Sequence, residues 1–202
     1  MHKRSTVFLL ILIIMISFIT SGCTVIFQKG RRVDVEKISK LKSELSNIEK
    51  AKIELEKRLK KEIGDSQVKV EMLAKGLVIT FVAEVLFDSG KASLKEGYLT
   101  TLDKVAQVLN TTVKDLNVGI EGHTDNVPIK HSSWKSNWEL STARALSVLH
   151  YLSDERKVLA KRLSATGYGE FRPVAQNSAE QGRQRNRRVE IVILPPVDKK
   201  GR

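Results

Sequence analysis

Residues 120–144, IEGHTDNVPIKHSSWKSNWELSTAR, decide how this chain is read. They are entered by a short apolar run, residues 116–120, which suits a buried strand. That strand runs into Gly122-His123-Thr124-Asp125, a polar loop follows, and a helix beginning near Asn137 carries Arg144 on its first turns. Strand, loop and helix in this order set a carboxylate and a guanidinium on the rim of one pocket. Such a pair suits a zwitterion, because Asp125 can take an ammonium and Arg144 can fork a carboxylate. Spacing alone leaves plainer roles open. An Asp after a strand is often a turn former bonding its own backbone. Arg144 can equally be a solvated cation, or a partner for Glu139 or Glu155. Asn137 is well placed to cap the helix, whose free N–H groups also attract anions.

Working outward, residues 68–82 read as a hairpin: Val68, Val70 and Met72 alternate, Lys75-Gly76 turns, and residues 77–82 return. Residues 83–90 read as a loop, residues 93–109 as an amphipathic helix, and residues 137–152 as the next helix. Residues 162–167 and 187–194 read as strands, the last stopped by Pro195-Pro196. Helices that separate strands of one sheet predict an α+β sandwich, with the helices packed on one face of a small mixed sheet.

Upstream, residues 33–63 are charged, free of Gly and Pro, and periodic. Ile38, Leu41, Leu45, Ile48, Leu55 and Leu59 form a heptad-like stripe that Lys52 interrupts. The stripe fits an amphipathic helix lying on the globular domain, or a coiled-coil stalk through which two copies associate. The N-terminus has His2, Lys3 and Arg4, an apolar run over residues 7–19, and Thr20-Ser21-Gly22-Cys23. A basic start, an apolar core and small residues before a cut predict a signal peptide over residues 1–22. Residues 7–27 carry no charged side chain and approach the ~20 residues that span a bilayer, so an uncleaved anchor is the alternative.

The 202 residues allow one ordinary domain plus extensions, and 41% hydrophobic residues with 5% aromatics predict a mainly aliphatic core. The formal net charge of +12 favours anionic partners without choosing among them. The basic runs at residues 182–188 and 199–202 suit phosphates, but an exported chain does not meet nucleic acid where it works. His123 has no nucleophile and second base beside it, and His2, His131 and His150 lack metal-ligand spacing; His123 is expected to pack at a strand end. Ser89-Gly90-Lys91 is no phosphate loop, since Val85 stands where the upstream Gly belongs and no Ser or Thr follows the Lys. No catalytic residue, cofactor or metal is expected. Trp138 is expected to pack at the helix start, whereas Trp134 is free in sequence terms to stack on a sugar.

Thr124-Asp125 followed by Asn137-Trp138-Glu139-Leu140-Ser141-Thr142-Ala143-Arg144-Ala145 resembles the motif of the OmpA-like peptidoglycan-binding domain. Residues 162–170, RLSATGYGE, and 186–190, NRRVE, resemble its later motifs. The resemblance implies a domain over residues 66–195 with a β/α/β/α/β sandwich, preceded by an N-terminal helical stalk. It implies that Asp125 binds the free amino group of diaminopimelate and Arg144 its carboxylate. Phe87, Asp88, Thr124, Asn137, Leu140 and one or more of Asn186, Arg187 and Arg188 are implied to line the pocket. Ser21-Gly22-Cys23 resembles a bacterial lipoprotein site, with Thr20 where Leu is commoner. It implies acylation of Cys23, a tether over residues 23–32, and an outer-membrane anchor facing the periplasm; an inner-membrane anchor is the alternative. Residues 196–202 are expected to form a disordered basic tail. The expected partners are therefore peptidoglycan, a membrane through the lipid, and a second copy through residues 33–63. The stretches around 122–129, 136–141 and 162–170 also resemble the flagellar stator (MotB-like) family. A proton-conducting stator needs an acid within its membrane helix, and residues 7–27 have none.

Overall fold

The computed structural model describes residues 32, 34–130 and 133–195. The expected signal peptide, Cys23, the expected tether up to residue 31 and the expected basic tail lie outside the described residues; Arg32, the last residue of the expected tether, is helical. Among the described residues no helix is long and apolar enough to cross a membrane. The chain divides into two compact units, Met1–Ser43 and Glu44–Arg202. In the first, residues 34–43 are helical and exposed. The second carries the fold, and it reaches further upstream than the boundary expected at residue 66.

Its first helix, α1, covers residues 44–58, and α2 follows over Lys60–Gly64. Ile48, Ala51, Leu55 and Leu59 recur at helical spacing and are all buried in the main hydrophobic cluster. The heptad-like stripe therefore has two fates. Its later half is core, with Ala51 filling the gap that Lys52 leaves in the reading. Ile38, Leu41 and Leu45 are exposed.

Strands β1 (Val68–Leu73) and β2 (Gly76–Val82) form the expected hairpin. Gly76 turns it at φ 127°, a conformation that favours glycine. Met72 is exposed rather than inward, because it lies at the turn end of an edge strand. The segment expected as a loop after β2 contains a short helix, α3 (Ala83–Leu86), with Ala83, Val85 and Leu86 buried. The helix expected from residue 93 starts later. Phe87 and Leu94 form an isolated bridge and Lys95 N donates to Leu86 O, so residues 91–95 are held across α3. A 3-10 turn (Glu96–Tyr98) then leads into α4 (Leu99–Asn110). Side chains tie α1 and α2 to α4 and the turn after it: Arg58 Nη1 donates to Gln107 Oε1, Thr112 Oγ1 to Glu54, and Lys104 Nζ to Glu62.

The remaining elements are β3 (Val118–His123), α5 (Asn137–His150), β4 (Leu163–Gly167), α6 (Glu180–Asn186) and β5 (Arg188–Ile193). Helix α6 was not foreseen. The sheet order is β1-β2-β5-β3-β4; only β3 and β4 are parallel, joined through α5 as a parallel crossover requires. The result is the expected α+β arrangement. Val68, Leu77, Ile79, Phe81, Val118, Ile120, Val189, Ile191 and Ile193 meet Leu102, Val105, Leu109 and Val148 in one aliphatic core. Helix α5 lies close on β3 and β4. A Cβ on Gly122 would stand 2.0 Å from Ser141 O, and one on Gly167 2.1 Å from Thr142 Oγ1. Only glycine admits this approach, which fixes how far α5 stands from the end of β3.

Candidate functional site

The cap of α5 is Ser136, not Asn137. Ser136 Oγ accepts from Glu139 N, and Glu139 Oε2 accepts from Lys135 N, a reciprocal pair close to a capping box. Asn137 is released for another task. Its Nδ2 faces Asp125 O, Val127 O and Glu170 Oε2, so it ties the loop after β3 to the turn after β4.

These elements enclose a cavity of about 540 Å³, whose lining includes Phe87, Asp88, Thr124, Asp125, Asn137, Leu140, Arg144 and Arg187. Asp125 is buried; its Oδ1 accepts from Val127 N at 3.0 Å and its Oδ2 from Arg187 Nη1 at 2.7 Å. One carboxylate thus closes the local turn and pairs with Arg187. Arg144 is also buried, with Nε donating to Lys91 O at 3.0 Å and Nη2 to Asp88 O at 3.4 Å. Its guanidinium lies 5.2 Å over the Phe87 ring. It pairs with neither Glu139 nor Glu155 among the described contacts. Burial pulls its pKa below the usual range, partly offset by the charge of Glu84. Thr124 is buried and donates its N–H to Gly169 O, while its Oγ1 has no hydrogen-bond partner among the described residues. A buried polar atom without a partner costs free energy.

Of the three residues expected at the start of the last strand, Arg187 alone faces the cavity. It also donates to Glu84 at 2.5 Å and to Glu180 at 2.8 Å. These bonds outweigh burial and raise its pKa, so its charge is fixed. Asn186 is fully buried elsewhere: Oδ1 accepts from Val174 N and Ala175 N, and Nδ2 donates to Ala175 O and Asn177 Oδ1. Arg188 points to the opposite face of the sheet, because neighbouring strand residues alternate sides. The carboxylate of Asp88 is exposed and paired with Lys91 and Lys95; its carbonyl, not its acid, meets Arg144. Sequence reasoning missed Glu84, Glu180 and Arg183, which also line the cavity. Two of them sit on α6, and the run 182–188 reads by composition as a basic patch rather than as helix. Trp134 gives its indole N–H to Gly90 O at 2.8 Å.

Behind the site, on the sheet's other face, lies a charged cluster. Glu121, His123 and Glu190 bring three ligand-type atoms within 4.8 Å of one another. Lys75 Nζ donates to both carboxylates and Arg188 Nε donates to Glu190, so two cations already neutralise the acids that a metal would need. His123 is buried at the strand end as expected, stacked on Tyr168 at 5.2 Å.

Residues 86–187 match the model of the OmpA family, a span that begins beside Phe87 and ends at Arg187. Motility protein B of Bacillus subtilis (strain 168) is 40% identical over 148 residues, 73% of this chain and 56% of that protein. The uncharacterized protein YtxE of the same organism is 37% identical over 166 residues, 80% of this chain and 68% of YtxE. The chain thus spans little more than half of motility protein B. Among solved structures, the cell wall anchor of the T6SS from Pseudomonas aeruginosa has a TM-score of 0.64 and 35% identity, covering 70% of this chain and 97% of that one. The matched span, these identities and the shared fold agree: the chain belongs to the OmpA family.

Proposed function

We propose that this domain is a binding module that holds peptidoglycan non-covalently through the peptide stem and anchors a membrane to the cell wall. The observation that carries this is the cavity itself, where the buried, oppositely charged Asp125 and Arg144 stand in one lining with Phe87 and Leu140. The ammonium of a diaminopimelate side chain binds Asp125 and its carboxylate binds Arg144. Phe87 and Leu140 cover the methylenes that lead to the terminal carbon carrying both charges. The Arg187 hydrogen bond holds the Asp125 carboxylate oriented before ligand arrives, as preorganisation requires. The similarity to the cell wall anchor of the T6SS from Pseudomonas aeruginosa supports the same use.

Binding of the purified protein to isolated wall sacculi tests this. Removing one charge leaves the ligand's opposite charge unpaired in a partly desolvated site, which costs ~2–5 kcal/mol. Asp125→Asn and Arg144→Ala are each expected to weaken binding by about 30-fold or more. Arg187 keeps Glu84 and Glu180 as partners in the Asp125 variant, so circular dichroism is expected to stay native. Lys199→Ala, in the basic tail, is the control. Folded pocket variants that still pull down as well as wild type would sink the assignment and leave surface charge as the cause of binding.

The anchor is acylated Cys23, which places the domain in the cell envelope with the outer membrane as its base. The mass of the mature N-terminus decides: an intact Met1 would replace the lipid with an uncleaved helix and an inner-membrane base. The 40% identity to motility protein B favours that second arrangement as a motor-linked wall anchor. The run 7–27 lacks the acid that proton conduction needs, so wall attachment is the part of that role this chain retains.

A further inference from the structure

Beside the cavity the surface carries an aromatic pair that the pocket does not use. Trp138 is 48% exposed and Phe171 60% exposed, yet their rings stack at 5.0 Å with an interplanar angle of 21°. We propose that this pair is a platform for the N-acetylhexosamine rings of the glycan strand, resting on the reading of the adjacent cavity as the peptide site.

Three observations support this. The first is position. Trp138 follows Asn137, which lines the cavity, and Phe171 follows Glu170, whose carboxylate accepts from Asn137 Nδ2 at 2.8 Å. Asn137 is the shared border of cavity and platform, so a stem peptide in one leaves its sugar near the other. The second is preformation. Phe171 N donates to Tyr168 O, closing a tight turn over the start of α5. Gly169 occupies φ 54° in that turn, and a Cβ there would stand 3.5 Å from Trp138 N and 3.6 Å from the Phe171 ring. The turn sets Phe171 beside Trp138, and the two rings already stack with nothing bound. The third is chemistry. A pyranose presents an apolar C–H face that lies flat on an aromatic ring, and hydroxyls at its edge that need polar partners. Glu170, which precedes Phe171 in the chain, accepts from Asn137 Nδ2, and the Trp138 indole N–H has no protein acceptor among the described residues. An exposed amphipathic aromatic pair with a polar rim is what a neutral, ring-shaped ligand needs. Trp134 does not serve, since its N–H is already given to Gly90 O.

The test uses full-length protein in detergent and two probes: peptide-free glycan strands, and a free diaminopimelate-containing stem tetrapeptide. Trp138→Ala and Phe171→Ala are expected to weaken glycan binding about tenfold each. Tetrapeptide affinity is expected to stay within about twofold, and Trp138→Phe to restore most glycan binding. Wild type that ignores glycan strands while binding the tetrapeptide overturns the platform and leaves the pocket standing. Glycan binding that depends on Trp138 while the tetrapeptide fails overturns the pocket and leaves the platform. Equal loss of both probes in Trp138→Ala overturns the platform as a separate subsite. So does a halving of sedimenting mass in that variant, which would make the face a contact between two copies.

Discussion

Arg144 sends Nε to Lys91 O and Nη2 to Asp88 O, so its planar fork is partly engaged by the loop after α3. The same side chain lies over Phe87 and looks into the cavity. Three tasks at fixed angles explain why this position suits arginine. A lysine offers one compact ammonium with no plane to stack and no fork. Arg144→Lys is therefore expected to keep the charge and still lose about tenfold or more in sacculus binding. A binding isotherm beside that of Arg144→Ala checks this. Full retention would mean that charge alone is recognised.

At the scale of elements, the site depends on how tightly helices seat against the sheet and on how their ends are closed. Helix α4 ends in a turn closed by a buried cation. Arg162 donates Nε to Leu116 O at 2.6 Å, Nη1 to Leu109 O at 2.9 Å and Nη2 to Val113 O at 2.7 Å. Carbonyls at and beyond a helix end lack intrahelical partners, and a cation there also complements the helix dipole. Arg162→Ala strips three buried acceptors of their donor at once. A loss of about 3 kcal/mol or more is expected. Urea denaturation followed by circular dichroism measures it, and a loss below about 1 kcal/mol would mean that water replaces the guanidinium.

For the whole molecule, two features set the limits of stability. The first is α1. Ile48, Leu55 and Leu59 are almost wholly buried, and each contributes ~1.5–3 kcal/mol of gross burial. Their sum rivals the ~5–15 kcal/mol by which a domain is stable. A fragment of residues 44–195 is expected to melt cooperatively, and one of residues 66–195 to show no cooperative transition by circular dichroism. Matching melts would show that the sheet domain closes its core without α1. The second feature is His123, which faces Glu121 on its own strand, Glu190 and Arg188 on β5, Lys75 from the β1–β2 turn, and the Tyr168 ring. Burial lowers its pKa, offset in part by Glu121, while the Arg188 charge lowers it further. The unfolded chain therefore takes up this proton first as pH falls below about 6.5. The contribution is fully present above that pH and declines below it, through the folded pKa. Glu121 and Glu190 have lowered pKa values, set by burial against the bonds from His123 and Lys75 and, for Glu190, from Arg188. Their contribution persists until pH falls below about 4.5. Between pH 7.5 and 5 the melting temperature of wild type is expected to drop by a few degrees more than that of His123→Phe, which keeps the stack on Tyr168. Parallel curves would mean that His123 does not titrate on unfolding.

The sequence by itself determined the strand–loop–helix unit around residues 120–144 and the hairpin at residues 68–82. These follow from period and turn residues, local properties of the chain. Spacing left Asp125 a turn former and Arg144 a solvated cation as readily as a pair; the family resemblance singled them out, and only the fold puts both in the lining of one cavity. The sequence did not determine which half of the 33–63 stripe is core, because a heptad pattern is the same whether its apolar face meets a partner helix or a sheet domain. Nor did it separate Asn186, Arg187 and Arg188. Arg187 enters the site, Arg188 crosses to the far face of the sheet, and Asn186 is consumed by the loop at residues 174–177. That choice depends on the register of β5 against β3, a long-range pairing that no local pattern encodes. The aromatic platform was invisible for the same reason: Trp138 and Phe171 lie on different elements, and only the turn after β4, folded back over the start of α5, brings their rings together.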